Sequence, residues 1–203
     1  MDNLHPLECS VLLALSREAD SPRTLDQLTE STGLDPSQLS MAVEWLLAKS
    51  LIAIHAETVA HLASLTPVGQ LYVEQLSPIE RVLSAAQEAG HTGKRLTIQD
   101  IQAKEGLEPS EVSKAVGSLK KEGAVLIVQG GCVESTGRTS ITVEAMRTLL
   151  QELRSGQREL HTFAEPLRTL LKQHAVKRGN AREPFRIDER VTRSFVLTSD
   201  GQS

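Results

Sequence analysis

Gly33-Leu34-Asp35-Pro36-Ser37-Gln38-Leu39-Ser40-Met41-Ala42-Val43-Glu44-Trp45-Leu46 returns 73 residues later as Gly106-Leu107-Glu108-Pro109-Ser110-Glu111-Val112-Ser113-Lys114-Ala115-Val116-Gly117-Ser118-Leu119. Gly, Leu, Pro, both Ser, Ala, Val and Leu coincide. Upstream, Leu25 and Leu28 match Ile98 and Ile101, and downstream Ile54 matches Ile127. Agreement that extends beyond one helix marks a duplicated module.

Working outward, each copy reads as three helices followed by a hairpin. In the first copy, Leu4 to Arg17 is an apolar-periodic helix. Thr24 then caps a short second helix that Gly33 ends. Pro36-Ser37 opens a third helix whose apolar residues Leu39, Ala42, Val43 and Leu46 fall at i, i+3, i+4 and i+7, the spacing of one buried face. Leu51 to Ile54 and Val59 to Leu65 are expected to be two short strands around a polar turn, the wing that follows a helix-turn-helix. The second copy repeats the parts as Ile79 to Ala89, Thr97 to Lys104, Ser110 to Glu122, then Val125 to Val128 and a Gly130-Gly131 turn.

The fold class expected is therefore mainly α with small β wings (α+β), as tandem winged-helix, DNA-binding-like modules. The first runs over 1–76 and the second over 77–142, and 143–203 holds a helical segment plus the strand of a third, incomplete module. In that third part, Met146, Leu149, Leu150 and Leu153 are continued by Leu160, Phe163, Leu167, Leu170 and Leu171, as a helical hairpin or one kinked helix broken near Gly156 or Pro166. Phe185, Ile187 and Val191 alternate with charged residues, as in a half-exposed strand.

A second repeated signal closes the modules. Leu65-Thr66-Pro67-Val68-Gly69 is echoed by Leu197-Thr198-Ser199-Asp200-Gly201, with Ile141-Thr142-Val143-Glu144 a weaker relative. Threonine after the last apolar strand residue suits an N-cap, since its hydroxyl accepts an orphan amide hydrogen. The last occurrence lies at the chain end without a helix to open, so the chain is expected to be a fragment of a longer protein.

Charge then narrows the function. The 203 residues carry a net charge of −4, but 1–76 hold 10 acidic and 3 basic residues, 77–131 hold 7 of each, and 132–203 hold 9 acidic and 12 basic residues. The field that could draw a polyanion is thus distal. The outward face of the third helix differs between copies in the same sense, with Ser37, Met41, Glu44 and Ala48 in the first and Ser110, Lys114, Gly117 and Lys121 in the second. Lys114, Lys120 and Lys121 are therefore candidate nucleic-acid contacts. Denser still is 168–193, where Arg168, Lys172, Lys177, Arg178, Arg182, Arg186, Arg190 and Arg193 outnumber Glu183, Asp188 and Glu189, which suits an RNA backbone. Aromatic residues are only 2%, which argues against a base-stacking platform such as an RRM sheet and leaves nucleic-acid contact to rely mainly on charge and shape.

Catalysis finds no support in the sequence. The six histidines fall in no HExxH, and no P-loop, GxSxG or dinucleotide fingerprint occurs. Cys9 and Cys132 form no CxxC, so neither a zinc site nor a disulfide is expected. No catalytic, metal or cofactor residue is assigned to this segment. With no apolar run near membrane-spanning length and no leader-like stretch, a cytoplasmic location away from membranes is expected.

Leu4-His5-Pro6-Leu7-Glu8, Trp45-Leu46-Leu47-Ala48-Lys49-Ser50-Leu51-Ile52, Leu65-Thr66-Pro67-Val68-Gly69-Gln70-Leu71-Tyr72 and Pro78-Ile79-Glu80-Arg81 occur in an order that resembles the N-terminal region of the archaeal and eukaryotic type of phenylalanyl-tRNA synthetase alpha subunit. That resemblance implies three small DNA-binding-like domains that contact tRNA ahead of a class II catalytic module, whose signature motifs have no counterpart in this sequence. It implies ATP and magnesium for the parent ligase, and a beta-subunit partner in an alpha2 beta2 assembly. The competing expectation is a winged-helix transcription regulator that binds duplex DNA as a dimer through the helices of 143–171.

Overall fold

In the computed structural model residues 4–17, 21–176 and 182–202 are described. The chain is mixed α/β with antiparallel sheets, and it falls into two compact units, one of 1–60 with 189–203 and the other of 61–188. These units follow packing, whereas the boundaries at 76 and 142 follow the repeat.

The first unit begins with α1 (Pro6–Ser16), where the His5 ring accepts from Leu7 N at 3.2 Å and Glu8 reaches back to His5 N at 2.6 Å. After β1 (Arg23–Thr24), Thr24 caps α2 (Leu25–Thr32), with Gln27 bonding back to Thr24 N, and Gly33 ends it at φ +68°, a conformation other residues resist. Asp35 opens α3 (Pro36–Ala48), accepting from Ser37 N and Gln38 N, and these bonds hold its carboxyl below the ordinary value. Leu39, Ala42, Val43 and Leu46 are buried against Val11, Leu15 and Leu28, as their spacing requires. Next comes β2 (Ile52–Leu65), whose last residues pass into the second unit.

The second unit continues with α4 (Pro67–Gln75), α5 (Pro78–His91), β3 (Leu96–Thr97), α6 (Ile98–Glu105) and α7 (Pro109–Lys121). Thr97 and Asp100 form a capping box on α6, and Gly106 ends it at φ +61°, as Gly33 ends α2. The hairpin of β4 (Val125–Val128) and β5 (Cys132–Ser135) turns through Gly130 and Gly131 at φ +84° and +73°. Strand β5 lies between β3 and β4, with Val133 opposite both Leu96 and Ile127. Val82, Ile101, Val112, Leu119, Ala124 and Val125 form the dry centre beneath this sheet.

Beyond it, α8 (Ile141–Leu153), β6 (Arg158–Glu159), a 3-10 turn over 160–162 and α9 (Glu165–Gln173) close a further core with Leu149, Phe163, Leu171 and Phe185. The distal helices are thus two. Gly156, at φ +136°, breaks the chain, while Pro166 lies in the first turn of α9 and starts a helix rather than breaking one. Strand β6 pairs antiparallel with the end of β2, Leu62 opposite Glu159. Last is β7 (Phe185–Leu197), longer than the sequence indicated, with Phe185 and Ile187 covered as the alternation predicts but Val191 exposed.

The hairpin expected between Leu51 and Leu65 is not there. Residues 52–65 form one 14-residue strand. No residue of His55-Ala56-Glu57-Thr58 is Gly or Asn, the types that reach the positive φ of a tight hairpin turn. The partner comes instead from the distal chain, since β7 neighbours β2 and pairs with β1, Arg23 opposite Phe195. Thr58 Oγ1 donates to Thr192 O, and Phe195 and Leu197 enter the core of the first unit.

The two Leu-Thr-x-x-Gly segments are one device used twice. Thr66 N donates to Pro184 O at 3.0 Å and Thr66 Oγ1 accepts from Gly69 N at 3.2 Å, while a Cβ on Gly69 would lie 2.1 Å from that same Pro184 oxygen. Thr198 N donates to Leu51 O at 3.1 Å, its Oγ1 accepts from Gly201 N at 3.2 Å, and a Cβ on Gly201 would lie 2.0 Å from Leu51 O. In both, threonine binds a carbonyl just before a strand and glycine lets the backbone settle onto it. Ile141-Thr142 is not a third case, because Ser140 caps α8 and Glu122 accepts from the Thr142 hydroxyl.

Candidate nucleic-acid interface

Helix α7 buries Val112, Ala115, Val116 and Leu119, so the same periodicity turns Ser110, Lys114, Gly117 and Lys121 outward. Lys114, Lys120 and Lys121 are exposed and make no ion pair among the described residues. Lys120 and Lys121 sit in the last turn, where the helix dipole favours cations. The corresponding face of α3 offers Ser37, Met41, Glu44 and Ala48, all exposed and without a cation.

The distal cations part company. Arg168 is turned inward, with its guanidinium donating to Phe163 O at 3.0 Å and pairing with Glu165 at 3.2 Å, so that it ties α9 to the preceding turn. Lys172 on α9 and Arg186 on β7 are exposed and make no ion pair among the described residues. Arg182 is exposed and lies in the wall of a cleft that Lys114 also lines. Lys177 and Arg178 fall outside the described residues.

Arg190 and Arg193 belong to the first unit. Arg190 pairs with Asp26 at 3.1 Å and Arg193 with Glu57 at 2.6 Å, with 60% and 51% of the two arginine side chains still exposed. The strip that the sequence suggested is therefore divided, with 168–186 in one unit and 190–193 in the other.

Sequence reasoning missed the residues around Lys114. The Tyr72 hydroxyl donates to Glu111 Oε1 at 3.3 Å, and burial together with the Glu111 charge pushes its pKa up to about 12, so it remains a neutral donor at physiological pH. His174 Nδ1 lies 3.4 Å from Glu183 Oε2. The signal that could have pointed here is Ser77-Pro78, a helix opening directly after the Leu71-Tyr72 turn of α4. Among the described residues no cluster of three or more His, Cys, Asp or Glu is placed to hold a metal ion, and no helix is long and apolar enough to cross a membrane.

Two curated proteins carry the comparison further. The chain is 37% identical over 98 residues to the phenylalanine–tRNA ligase alpha subunit of Thermococcus onnurineus, across 48% of this chain and 18% of the relative. It is 32% identical over 113 residues to the same subunit of Pyrococcus horikoshii, across 56% of this chain and 21% of the relative. The likeness is to a phenylalanine–tRNA ligase alpha subunit. It agrees with the family resemblance carried by the segments from Leu4-His5-Pro6-Leu7-Glu8 to Pro78-Ile79-Glu80-Arg81. The match to these ligase subunits spans only about a fifth of their length. No family model matches the chain, and no solved structure matches it significantly.

Proposed function

We propose that this chain is a tRNA-contacting region of a phenylalanine–tRNA ligase alpha subunit, assisting attachment of phenylalanine to its tRNA through backbone charge. The observation that carries this reading is the identity to two such subunits. The parent's ATP, magnesium and beta-subunit partner follow from the same likeness, as does a class II catalytic module outside this segment, which itself supplies no catalytic side chain. We read helix, strand, two helices and a hairpin with strand order β3-β5-β4 as a winged helix in the second repeat, and β1-β7-β2 as its counterpart in the first. We take 1–76 and 77–142 as two nucleic-acid-binding-like modules of that subunit and 143–203 as a third, incomplete one whose strand β7 also completes the sheet of the first.

Exposed Lys114, Lys120, Lys121, Lys172 and Arg186 support the reading, because lysine and arginine without intramolecular partners release counterions from phosphate at no cost to the fold. Arg190 and Arg193 can join them, since half-exposed ion pairs are worth little and exchange a carboxylate for a phosphate cheaply. Such contacts position RNA without reading its sequence.

The test titrates the full chain with tRNA and with duplex DNA at several salt concentrations. Preferential tRNA binding is expected, with affinity falling as salt rises. Lys172→Gln and Arg186→Gln are each expected to reduce the slope by about one unit for every phosphate left without its cation. Equal affinity for both nucleic acids, or none for either, overturns the proposal.

A further inference from the structure

The second unit contains a cleft of 480 Å³ on which three helices open: α5 at Ser77 to Ile79, α7 at Ser110 and Glu111, and α8 at Thr142. Two of these helix ends are closed by the protein itself. Glu111 accepts from Glu108 N at 3.0 Å at the head of α7, and Ser140 accepts from Val143 N at 3.2 Å at the head of α8. The end of α5 is not closed. Ser77 occupies its N-cap, 1% exposed, yet makes no cap bond, and its hydroxyl has no hydrogen-bond partner among the described residues.

The repeat shows what is missing. In the first copy His5-Pro6-Leu7-Glu8 closes α1 with the His5 ring on Leu7 N and the Glu8 carboxylate on His5 N. Ser77-Pro78-Ile79-Glu80 stands in the same place, but Glu80 is engaged by Arg147, whose Nε donates to it at 3.0 Å. Buried hydroxyls are ordinarily satisfied. Here Ser77 lines the cleft at the positive end of a 14-residue helix whose first turn has no side-chain cap bond.

The rest of the lining says what kind of molecule fits. Tyr72, Ile79, Ala115, Met146 and Pro184 give apolar wall, while Lys114 brings a cation and Glu111 an acceptor. A bare oxyanion would leave the apolar wall uncovered. A purely apolar ligand would leave Ser77 and the α5 amides unsatisfied. The volume lies within the ~300–1,000 Å³ of small-molecule sites, not that of an isolated ion.

We propose that this cleft binds a single nucleotide, its base against Tyr72 and Met146 and its phosphate between Lys114 and the α5 N-terminus, where the Ser77 hydroxyl donates to it. The nucleotide is either free or unstacked from an RNA strand, and only the second source rests on the tRNA reading. Unstacked bases are what proteins read in RNA loops, and one tyrosine suffices for one base.

The full chain is titrated by NMR with AMP, CMP and inorganic phosphate, and separately with tRNA. Saturable nucleotide binding is expected, at least about tenfold tighter than phosphate, which lacks the base that fills the apolar wall. Because the Ser77 hydroxyl is unpartnered, Ser77→Ala is expected to keep the melting temperature or raise it while weakening nucleotide binding about fivefold. Lys114→Glu weakens it about tenfold, through loss of the cation and gain of a like charge. Phosphate binding as tightly as the nucleotides, no saturable nucleotide binding, or Ser77→Ala that lowers stability with affinity unchanged overturns the proposal. Nucleotide binding without tRNA binding supports the cleft and removes the tRNA reading. The reverse result removes the cleft and leaves the tRNA reading standing.

Discussion

The two repeats share their helices and differ in how they complete their sheets. The second copy does so locally, turning at Gly130-Gly131 to bring β5 between β3 and β4. The first copy has no such turn and takes its strand from residues 189–197, so β7 fills beside β1 the place that β5 fills beside β3. Helices built on caps and apolar stripes survive duplication as local units. A sheet edge asks only for a strand of suitable register, and it accepts one from anywhere in the chain.

The sharpest way to break this comparison is Phe195→Ala. Phe195 is 2% exposed in the core of the first unit although it lies far from the rest of that core in sequence. Its truncation should cost about 3–5 kcal/mol there. Hydrogen exchange is expected to show lost protection in α1, α2 and α3, with α5, α6 and α7 unaffected. Equal loss in both would mean the sheets are not independent.

Gly201→Ala comes next. The added Cβ would meet Leu51 O at 2.0 Å, so the clasp must open, at about 3 kcal/mol. Gly131→Ala in the second copy meets nothing within 4 Å and carries only the strain of φ +73°, about 1 kcal/mol. Urea denaturation of the two variants should rank them in that order.

The smallest effect concerns the acids at the third position of α1. Burial pushes the Glu8 carboxyl up, but the Lys49 ammonium at 2.8 Å and the His5 amide outweigh it and hold the pKa below the ordinary 4.5. A depressed folded value means stability that is present above pH 4.5 and is lost as the pH falls through the lowered value. Glu8→Gln should flatten the pH dependence of the first unit's melting below that point. An unchanged acid limb would show that the pair does not contribute.

Much of this was legible in the residues. Thr24, Thr97, Gly33 and Gly106 announce helix ends because caps act over three or four positions, and Gly130-Gly131 announces a hairpin for the same reason. The pairing of Thr58 with Thr192 was not, because nothing in either segment names a partner 134 positions away. The candidate interface divides along the same line. Positive charge is visible in composition, so Lys114, Lys172 and Arg186 could be named as candidates. That Arg168 would turn inward to carbonyl oxygens, or that Arg190 would meet Asp26 164 positions away, depends on folding. Ser77 reads as an ordinary cap, and nothing in the residues around it announces that its hydroxyl makes no cap bond.

The remote strand also sets an order of events at the ribosome. Residues 61–188 are contiguous and emerge with everything their core requires, whereas residues 1–60, though made first, must wait for Phe195 and Leu197. The usual sequence, in which the leading segment folds before the trailing one, is thereby inverted. Throughout that interval Val11, Leu15, Leu28 and Leu46 stand with one side of their shelter missing.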